Sequence, residues 1–434
     1  MISDAQLRHV LRSDALVALM GDLIRALAAA SVAIVLWVFY VYYASLVQQM
    51  FADLQMNDFG RFYYSARAFL EGRDMYGPTL ATAFRTEVGT THLWNMNPPH
   101  FHILVLPFAL LAPLPALIAW AVANVLALVL SLRLIATEFA AQWTWQRVAW
   151  TAIGVIVCSA TGIIIVTGQW PFLLMLPVTV AWIDARNGRW RNAALWLGVV
   201  AGLKPFLAVF GVFFVVTRRW SATAWMTVAA SAGVVVGIAV FGWHAYMSWM
   251  VVLGRVDWAW APMNASIEGL ITRSLADDPL FVPLLNVPAM VQPLTLVLSG
   301  VVAIVTLAVA SRGNSPRAID RAFAGLLLAA LLISPLGWVY YLWLAAGPLV
   351  ALWTTLDLSS IRARGVAVVV AVPGLLLPIY MTILWRTSRW GGVTIGSTYT
   401  WTLLALWTAV MLAPRAKNRR MSNREVLDDK APLD

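Results

Sequence analysis

The chain has 434 residues, 61% of them hydrophobic and only 12% charged, with 23 Trp and a formal net charge of +10. Soluble domains carry about 25% charged residues, so this balance excludes a water-soluble globule. It reads as an all-α polytopic membrane protein whose backbone groups are satisfied inside helices. The single cysteine, Cys158, rules out an internal disulfide and a cysteine-based metal site. The excess of Lys and Arg sits mostly in short loops and in the C-terminal tail. That is how a membrane protein marks its cytoplasmic side, so the charge does not imply a nucleic-acid partner.

A bilayer is crossed by ~20 consecutive apolar residues. About 25 mixed-charge residues precede the first such run, which is not the pattern of a cleavable signal peptide. That run is Leu27–Leu46, and a polar loop follows it. The loop carries Asn57–Tyr76, NDFGRFYYSARAFLEGRDMY. Next come His102–Ala112 and Leu114–Ile135, divided by a turn at Pro113 and Pro115, then Val148–Val166, Phe172–Ile183, Ala193–Val216 and Ala222–Phe241. A second polar stretch, His244–Pro288, precedes Pro293–Ala310, Ala322–Ile333, Trp338–Leu356, Val366–Leu384 and Tyr399–Leu412. The reading is about twelve spans. Residues 1–413 form one integral membrane domain and 414–434 a basic, disordered cytoplasmic tail.

Arg415, Lys417, Arg419, Arg420 and Arg424 put the C-terminus in the cytoplasm. An even span count puts the N-terminus there too, with the long first loop and its interfacial helices outside a multi-pass plasma-membrane protein. One stretch resists. Arg186, Arg189 and Arg191 flank one end of an apolar run and Arg218 and Arg219 the other, yet both clusters look cytoplasmic. Either one cluster is an exception, or the run is broken at Gly202-Leu203-Lys204-Pro205.

Five stretches stand out as chemistry. In the first, Asn57 or Asp58 can cap a helix, and Phe62, Ser65, Ala66 and Phe69 fall on one face behind it. Arg61 is three residues from Asp58, so both side chains can point the same way. The bland alternative is an acid that only caps. The second, Asn97-Pro98-Pro99-His100-Phe101-His102, is a rigid turn feeding a helix. The third pairs Gly168-Gln169 with Lys204-Pro205; an intramembrane lysine either finds a partner or snorkels to the headgroups. The fourth, Met263 to Arg273, is a capped helix in an extramembrane loop. The fifth, Ser334-Pro335-Leu336-Gly337-Trp338-Val339-Tyr340-Tyr341, breaks the chain before a span.

In this order the five resemble glycosyltransferase family 87 of the GT-C superfamily, which includes polyprenol-phosphate-mannose-dependent mannosyltransferases of glycolipid assembly in the cell envelope. The resemblance rests on Asp58, Phe59, Tyr63, Tyr64, Ala66 and Arg67, on Pro98-Pro99, on Gly168-Gln169, on Lys204-Pro205, and on Asn264, Ser266, Gly269, Leu270 and Arg273. It covers about residues 25–350, and only the ensemble is specific. Where the family often has a His pair, Tyr340 and Tyr341 stand. The resemblance implies a GT-C-type fold with Asp58 as catalytic base.

The chemistry fits this inventory. A polyprenyl-phosphate sugar carries its own leaving group, so one carboxylate suffices to deprotonate an acceptor hydroxyl, with inversion; ordinary glycoside hydrolysis takes two. The departing phosphate needs cations and N–H donors, for which Lys204, Arg273 and Arg61 are candidates, with Tyr340 and Tyr341 beside them. Tyr63, Tyr64, Asn97, His100, Gln169 and Asn264 are candidates for the acceptor pocket. The chain has neither an Asp-x-Asp motif nor a nucleotide-binding Gly loop, so no metal and no cofactor is implied. The expected partners are a polyprenyl-phosphate hexose (mannose first), a lipid or glycan acceptor on the extracytoplasmic face, and membrane lipids. The rival reading is a transporter or flippase, which often shows repeats in two halves; none is visible here.

Overall fold

A computed structural model describes residues 57–77, 83–86, 89–92, 94–255, 258–278, 281–354 and 388–413, with a few single positions elsewhere. The expected first span, nearly all of the span Val366–Leu384, and the tail 414–434 lie outside the described residues. The body is helical, and the long polar loop adds one antiparallel hairpin that the all-α reading did not foresee. Its strands, Ala83–Thr86 and Gly89–His92, pair with Ala83 opposite His92.

The helices are α1 (Asn57–Leu70), α2 (Leu106–Ala109), α3 (Pro113–Glu138), α4 (Trp145–Val157), α5 (Ser159–Thr167), α6 (Pro171–Arg186) and α7 (Trp190–Leu203). They continue as α8 (Val209–Val216), α9 (Trp220–Leu253), α10 (Ile267–Leu275), α11 (Val291–Ala310), α12 (Pro316–Ile333), α13 (Ala346–Thr354) and α14 (Thr398–Met411). Proline opens α3, α6 and α12, where its fixed φ suits the first turn and its missing N–H costs nothing. Among the described residues, Pro113–Glu138, Trp220–Leu253 and Pro288–Ala310 are each long and apolar enough to cross a membrane alone. α4 and α5 together make a fourth candidate, bent by 67°. Other apolar runs on the expected list of about twelve fold as shorter or interrupted helices.

The run Ala193–Val216 is one of the interrupted ones. α7 ends at Leu203, Lys204 is extended (φ −136°, ψ 94°), and Pro205 starts a 3-10 turn that leads into α8. The Arg219 guanidinium then lies 3.6 Å over the ring of Trp190, the first residue of α7. The chain has therefore returned to the side it left. Both basic clusters sit at one end of a helical hairpin whose tip carries Lys204, as a run broken at Gly202-Leu203-Lys204-Pro205 requires. At that same end the Arg186 guanidinium ties three helices together. Its Nε donates to Glu138 Oε1 at 3.0 Å and its Nη1 to Asp320 at 2.6 Å.

α7 is clamped to α9 by small residues. A Cβ at Gly198 would meet the Met226 carbonyl at 2.3 Å, and one at Gly237 would lie 2.6 Å from His100 Cβ. Without side chains the backbones approach closely enough for dispersion to hold them, where water supplies no hydrophobic drive. α9 kinks at Gly242 (φ 78°, ψ 162°), a conformation open to glycine. From Trp220 to that kink is about 33 Å at 1.5 Å per residue, close to the hydrocarbon thickness. Beyond the kink, Ala245 and Val252 pack with Met75, Tyr76 and Phe241 in a small second core, and Phe69 and Trp94 pack against it.

Two outcomes follow. Cysteines placed at Arg189 and at Arg218 should label from the same side of the membrane; labelling from opposite sides would contradict the hairpin. Gly198→Ala should lower the unfolding temperature in detergent, whereas Gly154→Ala, with no atom within 4 Å of its added Cβ, should leave it unchanged or raise it slightly.

Candidate active site

Asp58 lies in the first turn of α1, and its carboxylate turns inward instead of serving only as a cap. It accepts a hydrogen bond from Gln169 Nε2 at 2.6 Å and pairs with Arg61 one turn on. The Gly-Gln pair explains itself here. Gly168 closes α5 in the left-handed region (φ 66°), and a Cβ there would lie 2.6 Å from Phe59 Cβ. Its carbonyl accepts from Trp120 Nε1 at 2.8 Å, which fixes the turn that delivers Gln169 to Asp58. Arg61 also donates to the Trp94 carbonyl at 3.0 Å. Burial pushes its guanidinium down to about 10, with Tyr340 acting weakly the other way. α1 is enclosed more fully than an amphipathic surface helix would be: Phe59, Phe62, Tyr63, Ser65, Ala66 and Ala68 are all buried.

Lys204 reaches the same place from the hairpin tip. Its Nζ donates to Asn97 Oδ1 at 2.8 Å and lies 5.1 Å from the Trp170 ring and 5.4 Å from the Tyr341 ring. The lysine is thus held by a partner and does not snorkel. Asn97 is itself fixed, because its Nδ2 donates to Asn95 Oδ1 and its carbonyl accepts from the Tyr76 hydroxyl at 2.6 Å. Asn95 in turn donates to Ser65 Oγ. His100 bridges the break before the lysine: Nε2 donates to the Gly202 carbonyl at 2.9 Å, and Nδ1 sits 3.0 Å from the Tyr246 hydroxyl. Arg61 Nε, Gln169 Oε1, Trp170 Nε1 and Tyr341 Oη are buried and find no partner among the described residues. An unpaired buried polar atom costs about 1–3 kcal/mol, so four in one neighbourhood single it out as a candidate ligand site.

Two cavities approach at the Lys204–Trp170 contact, the first lined by Lys204 and the second by Trp170. One, of about 580 Å³, is walled by Lys204, Tyr341, Trp338, Trp258, Met96 and Glu268 among others. The other, of about 820 Å³, runs between α3, α6, α7 and α9; its walls are nearly all apolar and include Trp170, Gly202 and Leu203.

Other candidates are drawn into the frame. Arg273 is wholly buried and four of its five N–H donors are taken: Nη1 by the Ala261 and Asn264 carbonyls, Nε by Ser397 and one of Nη2 by Thr400. Burial pushes it down to about 9. Asn264 is also wholly buried. It donates to the Pro335 carbonyl at 2.7 Å and accepts from Gly337 N at 3.0 Å, riveting the fourth motif to the fifth. The Tyr63 hydroxyl is spent on the Leu111 carbonyl, and Tyr64 packs edge-on against Tyr63. Tyr340 stacks on Trp338 near Arg61. Asn95, Trp170 and Trp258 stand beside these candidates without having been singled out by the sequence, as does Glu268 of the fourth stretch. Trp170 follows the Gly-Gln pair directly and was the one within reach of sequence reasoning.

A helical body with long apolar helices, which brings a carboxylate, a guanidinium and an ammonium together in its interior, defines a membrane protein with a charged internal site. The chain belongs to glycosyltransferase family 87, whose model matches residues 95–335. It is 31% identical over 199 residues to a Mycolicibacterium smegmatis protein, 43% of this chain and 45% of that one. A Mycobacterium tuberculosis protein is 30% identical over 280 residues, 59% of each chain. Both are polyprenol-phosphate-mannose-dependent alpha-(1-2)-phosphatidylinositol pentamannoside mannosyltransferases, and the matches span about half the length of these relatives. No solved structure matches.

The two buried cations should part company on substitution. Arg273→Met leaves two carbonyls and two hydroxyls without their donor, so the unfolding temperature should fall by roughly 5 °C or more. Lys204→Met removes a buried ammonium whose desolvation offsets much of its pairing, so unfolding should stay near wild type. Equal losses in the two variants would contradict this division.

Proposed function

We propose that the chain is a hexosyltransferase that moves mannose from a polyprenyl-phosphate carrier to a hydroxyl of a lipid or glycan acceptor, on the extracytoplasmic face of the plasma membrane. The observation that carries the reading is the convergence of Asp58, Gln169, Arg61 and Lys204 around four unpaired buried polar atoms. Family membership and the names of the two relatives support the donor class.

In this reading the acceptor hydroxyl approaches Asp58, hydrogen-bonded in passing to the unpaired Oε1 of Gln169. Its proton goes to the carboxylate as its oxygen bonds to the anomeric carbon. The bond from that carbon to the phosphate oxygen breaks, and its electron pair leaves with the polyprenyl phosphate. Attack and departure lie on opposite faces, so the anomeric configuration inverts. The ammonium of Lys204 and the guanidinium of Arg61 meet the charge that grows on the phosphate, in a site too dry for water to screen it. Trp170 Nε1 and the Tyr341 hydroxyl are donors left over for the same oxygens. The apolar cavity behind Trp170 suits an isoprenoid chain, because a tail there would leave its phosphate at the junction by Lys204. With tyrosines in place of a His pair, the donor phosphate depends on Lys204 and Arg61 for its counter-charge.

Asp58→Asn tests the base. Asn keeps the shape and the hydrogen bond to Gln169 but takes no proton, and general-base assistance is typically worth about 10²–10⁴-fold. Transfer from polyprenyl-phosphate mannose should fall by that much while thermal unfolding stays close to wild type. A variant that transfers at the wild-type rate would sink the mechanism.

A further inference from the structure

The cavity above Lys204 has a carboxylate in its wall that the transfer chemistry does not use. Glu268 lies in the first turn of α10, whose N-cap Ser266 accepts from Gly269 N at 2.9 Å. That helix is rigidly set, because Arg273 and Asn264 anchor it to the Ser334–Trp338 break and to α14. Glu268 is the one acidic residue among those that line this cavity, and Lys204 is the one basic residue. Around them stand the aromatic side chains of Trp258, Trp338 and Tyr341. Trp338 is held by stacking on Tyr340 at 6.1 Å with 12° between the rings.

An ionised carboxylate only accepts hydrogen bonds, so it repels phosphate and selects a group rich in donors. A pyranose is such a group: neighbouring hydroxyls can donate to both carboxylate oxygens while the C–H face of the ring lies on an aromatic side chain. The volume of about 580 Å³ falls in the range of small-molecule sites. We propose that this cavity is the sugar subsite of the donor, and that Glu268 binds hydroxyls of the hexose that is transferred. The proposal rests on the sugar-transfer reading above and adds a separation of labour. Lys204 answers the phosphate, and Glu268 answers the sugar.

Binding separates these roles without relying on turnover. Purified full-length protein is titrated with polyprenyl-phosphate mannose and with bare polyprenyl phosphate, following tryptophan fluorescence, for wild type, Glu268→Gln and Lys204→Met. Losing a charge-assisted acceptor should weaken the mannosylated lipid by roughly 10- to 100-fold in Glu268→Gln, with the bare lipid phosphate unchanged. Lys204→Met should weaken both lipids. The bare lipid also reports that the Glu268 variant is folded. If Glu268→Gln binds both lipids like wild type, or loses both equally, Glu268 is not a sugar ligand and the proposal falls. A wild-type protein that binds neither lipid would overturn the transfer reading itself.

Discussion

Burying one ammonium inside an apolar body organises much of this molecule. A lysine removed from water costs several kcal/mol unless its environment returns the lost solvation. Lys204 gets that return from the Asn97 amide oxygen and from two aromatic faces, Trp170 and Tyr341. Each partner imposes its own demand. Asn97 must be carried in on a loop, which Asn95, Tyr76 and the prolines at 98 and 99 hold in place. The lysine needs a backbone break to leave its helix, and the extended Lys204 followed by Pro205 supplies one. The open carbonyl at Gly202 then needs a donor, and His100 gives it.

The frame around this centre is densely cross-linked, which suits the proposed transfer chemistry. Reacting groups must be held to a fraction of an ångström, because misplacement by 1 Å can cost about 10²-fold in rate. Here the carboxylate side comes from α1 and the turn at Gly168, and the ammonium side from the hairpin tip. The α7–α9 seam of small residues brings the latter close to the loop at His100. Beyond the cavity, Asn264 and Arg273 join the fourth and fifth motifs, so Glu268 and Trp338 stand on one block. Asn264 and Arg273, which look catalytic by type, spend most of their hydrogen bonds on holding the frame.

Family, membrane character and several of the residues that gather around Asp58 could be read from the chain because they depend on local composition and order. Apolar runs, the Asp58–Arg61 spacing, the Pro-Pro turn and the Gly-Gln and Lys-Pro breaks are properties of short windows. Asp58 met Arg61 because a spacing of three on a helix leaves the pair little choice. Which cation faces a ligand was not a local property. Lys204 and Arg273 were both cation candidates in sequence, one within an apolar run and one on a capped helix in a loop, and what separates them further is what surrounds the head group after folding. Gln169 reaching Asp58 across 111 residues, the return of Arg219 to Trp190, and Glu268 sharing a cavity with Lys204 arise from packing between distant segments. The sequence by itself determined the membrane class, the family and the pairing of Asp58 with Arg61. Tertiary structure alone decided what surrounds each charge, because a buried charge is defined by its partners, and those come from far along the chain.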